Sequence, residues 1–451
     1  MKYTAVVDVQ DDSGRAIDRL FPILSQDRTT VTKWDPDHFL LHCHIFFRES
    51  ALTSGCGLES ALIENGRKGR CGPKGVTDNV NVDANVSSRI NLMRIVLISG
   101  IVFVHIPFDA ASSPYDGTYG AFDWIRVFLT EALFRVGVPC LSAISGYLLF
   151  RSGQENFSYK KTVRTKVQTV FLPFLLWNCA FIAAIVLATS LGVGEGYLPD
   201  PLNASGRDLM TQVLAVEDFP ANVPLYFLRD LFVCILLSPI LAWLIGRAPI
   251  LTLTSLLVIA LIPELSIYIV LKRSILFSFS LGIFIALQQF DLKALDRFAA
   301  LGVFLLLAAS ALLATAIFYT GPSLPDWVQF FRNALAIVGA LGFWLLSAPL
   351  IKTQLGQRLA KTGSLSFWIF CAHYPLLIFL WILWGKTDVS FYPLFFVLSF
   401  ALLFPLLAFS NGLCRRNFPR IYAILTGSRT KRSATPASPH DISPKLVTQQ
   451  R

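Results

Sequence analysis

Two residues able to do acid–base or anion chemistry share one apolar run. Arg94 and His105 are separated by ten residues, Ile95 to Val104, that are almost wholly apolar. A neutral imidazole has an ordinary pKa close to neutrality and suits general-base work. A guanidinium is a fixed cation that takes phosphate or carboxylate. On a helix the two would stand about 16 Å apart along the axis. One could then meet a phosphate-bearing donor at one face of a membrane while the other meets an acceptor near the opposite face. The competing readings are a snorkelling anchor for Arg94 and an interfacial imidazole bonded to a carbonyl for His105.

Further ionisable residues fall inside apolar runs, where they are costly and usually functional. Glu131 and Arg135 are four apart, hence on one helix face. Pro139 cannot donate to the carbonyl of Arg135, so a kink is expected there. Gly137 and the stretch Ser142 to Gly146, including Ser145, are small enough for close helix approach or for a substrate. The competing reading of Glu131 and Arg135 is an ion pair joining two helices. His373 lies about nine residues into a later run, and Arg229–Asp230 and Lys272–Arg273 lie near the starts of two others. The competing readings are a hydrogen-bonded packing histidine for His373, a self-neutralising interfacial pair for Arg229–Asp230 and a plain interfacial anchor for Lys272–Arg273. His38, His42, Cys43 and His44 resemble half of a metal site without a second half, so no metal site is expected.

The elements that must position these residues are read from composition. The 451-residue chain is 54% hydrophobic and only 15% charged, against about 25% charged for soluble domains. The apolar runs approach the roughly 20 residues that cross a hydrocarbon core, and such runs must be helical. The fold class is therefore all-α, a polytopic membrane helix bundle. Ten spans are expected near 90–107, 127–150, 167–190, 223–246, 250–270, 274–290, 298–320, 332–351, 364–384 and 391–413. Residues 1–88 are expected to be an extension of low order, with an over-extended start as one explanation. Residues 89–413 form the membrane domain and 414–451 a basic cytoplasmic tail. Of the eight cysteines, Cys140, Cys179, Cys234 and Cys371 are expected to be small packing residues in the runs.

The net charge of +10 does not imply nucleic-acid binding. Basic residues cluster in the loops at 151–166 and 352–361 and in the tail, whereas the 191–222 loop is acidic. That asymmetry places both termini in the cytoplasm. No inverted repeat of the transporter kind is evident. A carrier of polysaccharide or lipid-linked oligosaccharide nonetheless remains the alternative class, with a purely structural membrane partner as another.

Several segments together resemble the acyltransferase-3 family of membrane enzymes. They are Asn91-Leu-Met-Arg94 with His105 ten residues on, Phe134-Arg-Val-Gly-Val-Pro139, Ser145-Gly-Tyr-Leu148, Leu225-Tyr-Phe-Leu228 and Gly363 to His373. Tyrosine stands at 226 where the family more often has tryptophan, and Phe370 or its neighbours replace the usual late tyrosine. The first-helix wording from Arg89 to His105 is similar to the branch that succinylates exopolysaccharide. The resemblance implies O-acyl transfer from an acyl-CoA, succinyl-CoA in that branch, to a sugar hydroxyl of a polysaccharide or its lipid-linked precursor. It implies no bound cofactor, contact with membrane lipid, and association with other biosynthesis proteins. His105 would be the general base or transient acyl acceptor. Arg135 would bind the oxyanion or the succinyl carboxylate, with Glu131 holding Arg135 or orienting His105. Arg94 would take the donor phosphate or pantetheine. His373, Arg229, Ser145 and Arg273 complete the expected site.

Overall fold

A computed structural model describes residues 74–153, 157–193, 201–263 and 269–428. All regular structure among them is helical. In chain order the helices are α1 (Lys74–Val104), α2 (Ala121–Phe150), α3 (Tyr159–Ser190), α4 (Gly206–Leu214), α5 (Val223–Arg247), α6 (Pro249–Leu261), α7 (Arg273–Leu287), α8 (Ala294–Thr320), α9 (Asp326–Leu350), α10 (Gln354–Lys361), α11 (Gly363–Trp384), α12 (Tyr392–Asn417) and α13 (Pro419–Thr426). Eight of them are long and apolar enough to cross a membrane: α1 through its part Ala84–Val104, α2, α3, α5, α8, α9, α11 and α12. The protein is a multi-pass membrane protein. Residues Val6–Asn79 separate as a second unit, of which only 74–79 are among the described residues.

The short apolar helices α6 and α7 occupy the expected fifth and sixth spans but stop early. Their 13 and 15 residues rise about 20 and 22 Å, short of a core about 30 Å thick. The apolar sequence beyond Leu261 suggested a longer helix. Pro263 prevents it: Ile262 sits in the extended region at φ −61°, ψ 122°, as a residue before proline does.

Helix α7 lies against α2 with backbones in direct contact. A Cβ on Gly146 would meet the Phe279 carbonyl, and one on Gly282 would meet the Ala143 carbonyl. Glycine at both positions is what permits this reciprocal crossing.

The break foreseen near Pro139 lies just ahead of it. Residues Phe128–Ala132 of α2 form a π turn and Leu133–Val136 a 3₁₀ turn before the α-helix resumes at Gly137. The proline ring cannot coexist with a regular i−4 carbonyl, so the preceding turns rewind. Before the break, Val127 and Ala132 pack on Leu313, Ala314 and Ile317 of α8. After it, α2 faces α1 and α7.

Boundaries at the two ends of the described chain also differ from the sequence expectation. α1 begins at Lys74, so 74–88 are helical backbone; the rest of the extension, with its His38–His44 group, lies outside the described residues. α12 continues to Asn417, and α13 docks beyond it: Trp177 Nε1 donates to the Leu425 carbonyl at 3.1 Å and Trp368 stacks on Tyr422. The remaining tail, 429–451, is outside the described residues. Cys179 is exposed on α3, unlike buried Cys140, Cys234 and Cys371.

Candidate active site

The site is built where α1 ends. Val104 is the last residue of α1, and the His105 amide donates to the Val102 carbonyl at 3.1 Å. Phe103 fixes the approach by stacking on Phe134, Phe396 and Phe400. Gly100 leaves room for the Phe134 ring. The His105 ring lies 5.5 Å from the His373 ring, centroid to centroid, and 5.9 Å from Tyr374. The two membrane histidines, 268 positions apart in sequence, therefore form one pair.

His373 has a defined tautomer. Its Nδ1 contacts the carbonyls of Ile369 at 3.0 Å and Phe370 at 2.9 Å. Both partners are acceptors, so Nδ1 carries the proton and Nε2 keeps a lone pair. That Nε2 is buried and has no partner among the described residues. The α11 backbone here is opened by Pro375, which cannot donate to the Cys371 carbonyl. Asn222 Nδ2 supplies that donor at 3.0 Å. Asn222 Oδ1 is a second buried acceptor with no donor among the described residues. A membrane interior leaves such acceptors costly unless a ligand or water supplies an O–H.

Beside the histidines stands an unusual charge cluster. Glu131 accepts from Arg135 Nη2 at 2.7 and 2.8 Å and from Arg332 Nη1 at 3.1 Å. Arg135 Nε donates to the Thr130 carbonyl at 3.1 Å, a carbonyl within the π turn. The charge of Arg135 reaches His105 and Tyr226, and together with Arg332 it reaches Tyr115 and Lys272. Lys272, just ahead of α7, has its ammonium 5.3 Å from the Phe219 ring centroid. Burial pushes that ammonium down to about 8, and the like charges of Arg135 and Arg332 act in the same direction.

The other expected site residues are distributed as follows. Arg229 Nη1 donates to Asp230 at 2.9 Å and to the Ile269 carbonyl at 2.7 Å. Asp230 also accepts the Leu271 and Lys272 amides at 3.1 and 2.8 Å. This pair pins the segment leading into α7. Arg273 donates to the Ile259 carbonyl at 2.9 Å, tying α7 to α6. Ser145 bonds back to the Leu141 carbonyl at 2.8 Å, near the α2–α7 crossing and apart from the histidines. Arg94 lies down α1, about 16 Å from His105 along the unbroken axis. It has no hydrogen-bond or ion-pair partner among the described residues, and its charge reaches Lys166 at the start of α3. No group of three or more potential metal ligands occurs among the described residues.

Arg332 was missed in the sequence because position 332 was taken as the start of a span. Helix α9 begins at Asp326 instead, which carries Arg332 nearly two turns inside. Asn222 and Asn178 carry no local sequence signal that marks them. They are fully buried, and the Asn222 amide donates to Asn178 Oδ1 at 2.9 Å.

Comparisons with known proteins give the family. The acyltransferase domain of the acyltransferase-3 family matches residues 87–408, which contain the histidine pair and the Glu131 cluster. The succinoglycan biosynthesis protein ExoH of Rhizobium meliloti (strain 1021) is 51% identical over 356 residues, 78% of this chain and 96% of that protein. No solved structure matches. Family membership decides between an enzyme and a carrier in favour of the enzyme. With its paired imidazoles and adjacent guanidiniums inside a helix bundle, the chain belongs to the acyltransferase-3 family and is a membrane O-acyltransferase.

Proposed function

We propose that this enzyme moves a succinyl group from succinyl-CoA to a sugar hydroxyl of succinoglycan or its lipid-linked precursor. It does so in a bacterial inner membrane with both termini in the cytoplasm, alongside other proteins of polysaccharide synthesis. The relative's printed role in succinoglycan biosynthesis supports the acceptor. The basic residues at one end of the bundle, Lys160, Lys161 and Arg164 near the start of α3 and Arg358 and Lys361 on α10, support a cytoplasmic face there.

In the reaction His105 removes the hydroxyl proton as the sugar oxygen attacks the thioester carbonyl. Arg135, whose charge already reaches His105, donates to the oxygen that becomes negative. Such a donor in a water-poor site contributes about 3–4 kcal/mol. The tetrahedral intermediate collapses with cleavage of the carbon–sulfur bond, and the departing thiolate takes the proton from the His105 imidazolium. The ester forms and CoA leaves as thiol. His373 Nε2 and Asn222 Oδ1 accept hydroxyl protons of the sugar and orient it. Arg94 and Lys166 hold the donor from the basic end. Glu131 fixes Arg135.

The observation that carries this reading is the 5.5 Å approach of the His105 and His373 rings, with the Arg135 charge acting on His105. The test is mass analysis of polysaccharide from cells carrying wild type or His105→Ala. Each lost succinyl removes about 100 Da and each lost acetyl about 42 Da. His105→Ala should insert normally and give polymer lacking the increment. A fully acylated polymer from that variant removes the assignment.

A further inference from the structure

We propose that Arg332 reads the free carboxylate at the far end of the transferred acyl chain, leaving Arg135 to the thioester carbonyl. This assignment rests on the reading above.

The argument begins with charge balance. Inside the bundle, Arg135 with Glu131 and Arg229 with Asp230 are each a neutral pair. Arg332 adds a second guanidinium to a carboxylate already satisfied by the first. Lys272, just ahead of α7, adds an ammonium that faces the Phe219 ring and has no hydrogen-bond acceptor among the described residues. A structural ion pair requires one cation, and surplus cations away from water are costly. The surplus is explained if a mobile anion completes the cluster during turnover.

Geometry locates where that anion binds. Arg332 donates only through Nη1, so Nε and Nη2 have no partner among the described residues. Its side chain is 21% exposed, against 17% for Glu131 and 24% for Arg135, so all three line accessible space. Arg135 Nη2 and Arg332 Nη1 bond the same oxygen, Glu131 Oε2, so these nitrogens lie within about 6 Å of each other. That is the scale on which a four-carbon diacid separates its two ends. The free edge of a guanidinium suits a carboxylate, which it can bind through two parallel donors. Glu131 would hold the two forks at a fixed spacing and so select chain length as well as charge.

The experiment uses full-length enzyme in proteoliposomes with unsuccinylated polysaccharide as acceptor. Three donors are compared: succinyl-CoA, the neutral carboxamide analogue succinamoyl-CoA, and acetyl-CoA. Wild type should prefer succinyl over succinamoyl by about 10–100-fold in kcat/KM, as expected for loss of a hydrogen-bonded charged contact. In Arg332→Met that preference should collapse to within about threefold, the loss falling mainly in KM for succinyl-CoA. Arg332→Lys should retain the preference with a raised KM; it also serves if Arg332→Met does not fold. An undiminished preference in Arg332→Met overturns the proposal. So does an equal fall for all three donors, which would place the anion on a shared moiety such as a phosphate of CoA or of a lipid carrier. A wild type that prefers no donor overturns it as well. A wild type that transfers no acyl group defeats the function proposed above, and this assignment with it.

Discussion

Arg89 and Arg332 are both arginines on membrane helices, at opposite ends of the bundle, and their surroundings differ. Arg89 uses every nitrogen: Nε to Ser347 Oγ at 2.9 Å, Nη1 to Asp296 at 2.9 Å and Nη2 to the Trp344 carbonyl at 2.8 Å. Its guanidinium also lies 3.8 Å from the Trp344 ring centroid, and the residue is 1% exposed. Arg332 uses one nitrogen and shares its only carboxylate with Arg135. A charge closed on every side joins α1, α9 and the first turn of α8. A charge left open on one edge can receive something. The number of unfilled donors separates the two arginines, and the greater exposure of Arg332 points the same way.

The comparison can be broken in order of effect. Arg89→Met leaves a carboxylate and a carbonyl without their donor and should cost about 3–5 kcal/mol. In detergent its melting temperature should fall sharply, while protein that remains folded keeps wild-type transfer per molecule. A melting curve matching wild type would show that Arg89 is not a structural clamp. Arg135→Met should do the reverse. Transfer should drop about 100–1,000-fold, as for loss of an oxyanion donor, with melting changed much less than in Arg89→Met. A rate within threefold of wild type would remove Arg135 from the chemistry.

Gly146→Ala and Gly282→Ala each force a methyl into a backbone carbonyl and should cost about 1–3 kcal/mol. The two together should cost less than the sum, since one displacement of α7 relieves both. Strict additivity in a double-mutant cycle would contradict the shared crossing. The smallest effect concerns Lys272, whose neighbours are Arg135, Arg332, Asp230 and Arg273. Its ammonium is cationic below about 8 and loses its proton above it, so its attraction for an anionic donor fades as pH rises through that value. KM for succinyl-CoA should rise on that limb in wild type and stay flat in Lys272→Met.

Much of this was legible in the sequence because lipid imposes so few solutions. The ten apolar runs, the shared face of Glu131 and Arg135, and the disturbance near Pro139 all follow from helical period and proline chemistry. The meeting of His105 with His373 does not, since no local rule relates residues on α1 and α11. Arg332 was hidden by a boundary error of about two turns, the kind that arises where a span opens with polar residues such as Asp326 and Gln329. The shortness of α6 and α7 was masked by apolar residues beyond Leu261, which continue the composition but not the helix. Asn222 was concealed because its task, donating to the carbonyl freed by Pro375, becomes visible only once α5 and α11 are adjacent.

The wide turn at Phe128–Ala132 has a consequence for how this chain can vary. A π turn holds one residue more than the helix around it, which rotates everything upstream by about 100° relative to everything downstream. The half of α2 that meets α8 and the half that meets α1 and α7 are thus set at different azimuths by a single surplus residue. Upstream of it Arg126 donates to Asp123 at 3.0 Å and to the Ser112 carbonyl at 2.9 Å, with its guanidinium 4.1 Å from the Tyr392 ring centroid; deleting one position in the π turn would turn that pair away from Tyr392 and Ser112. Length in this short stretch is therefore fixed more tightly than residue identity.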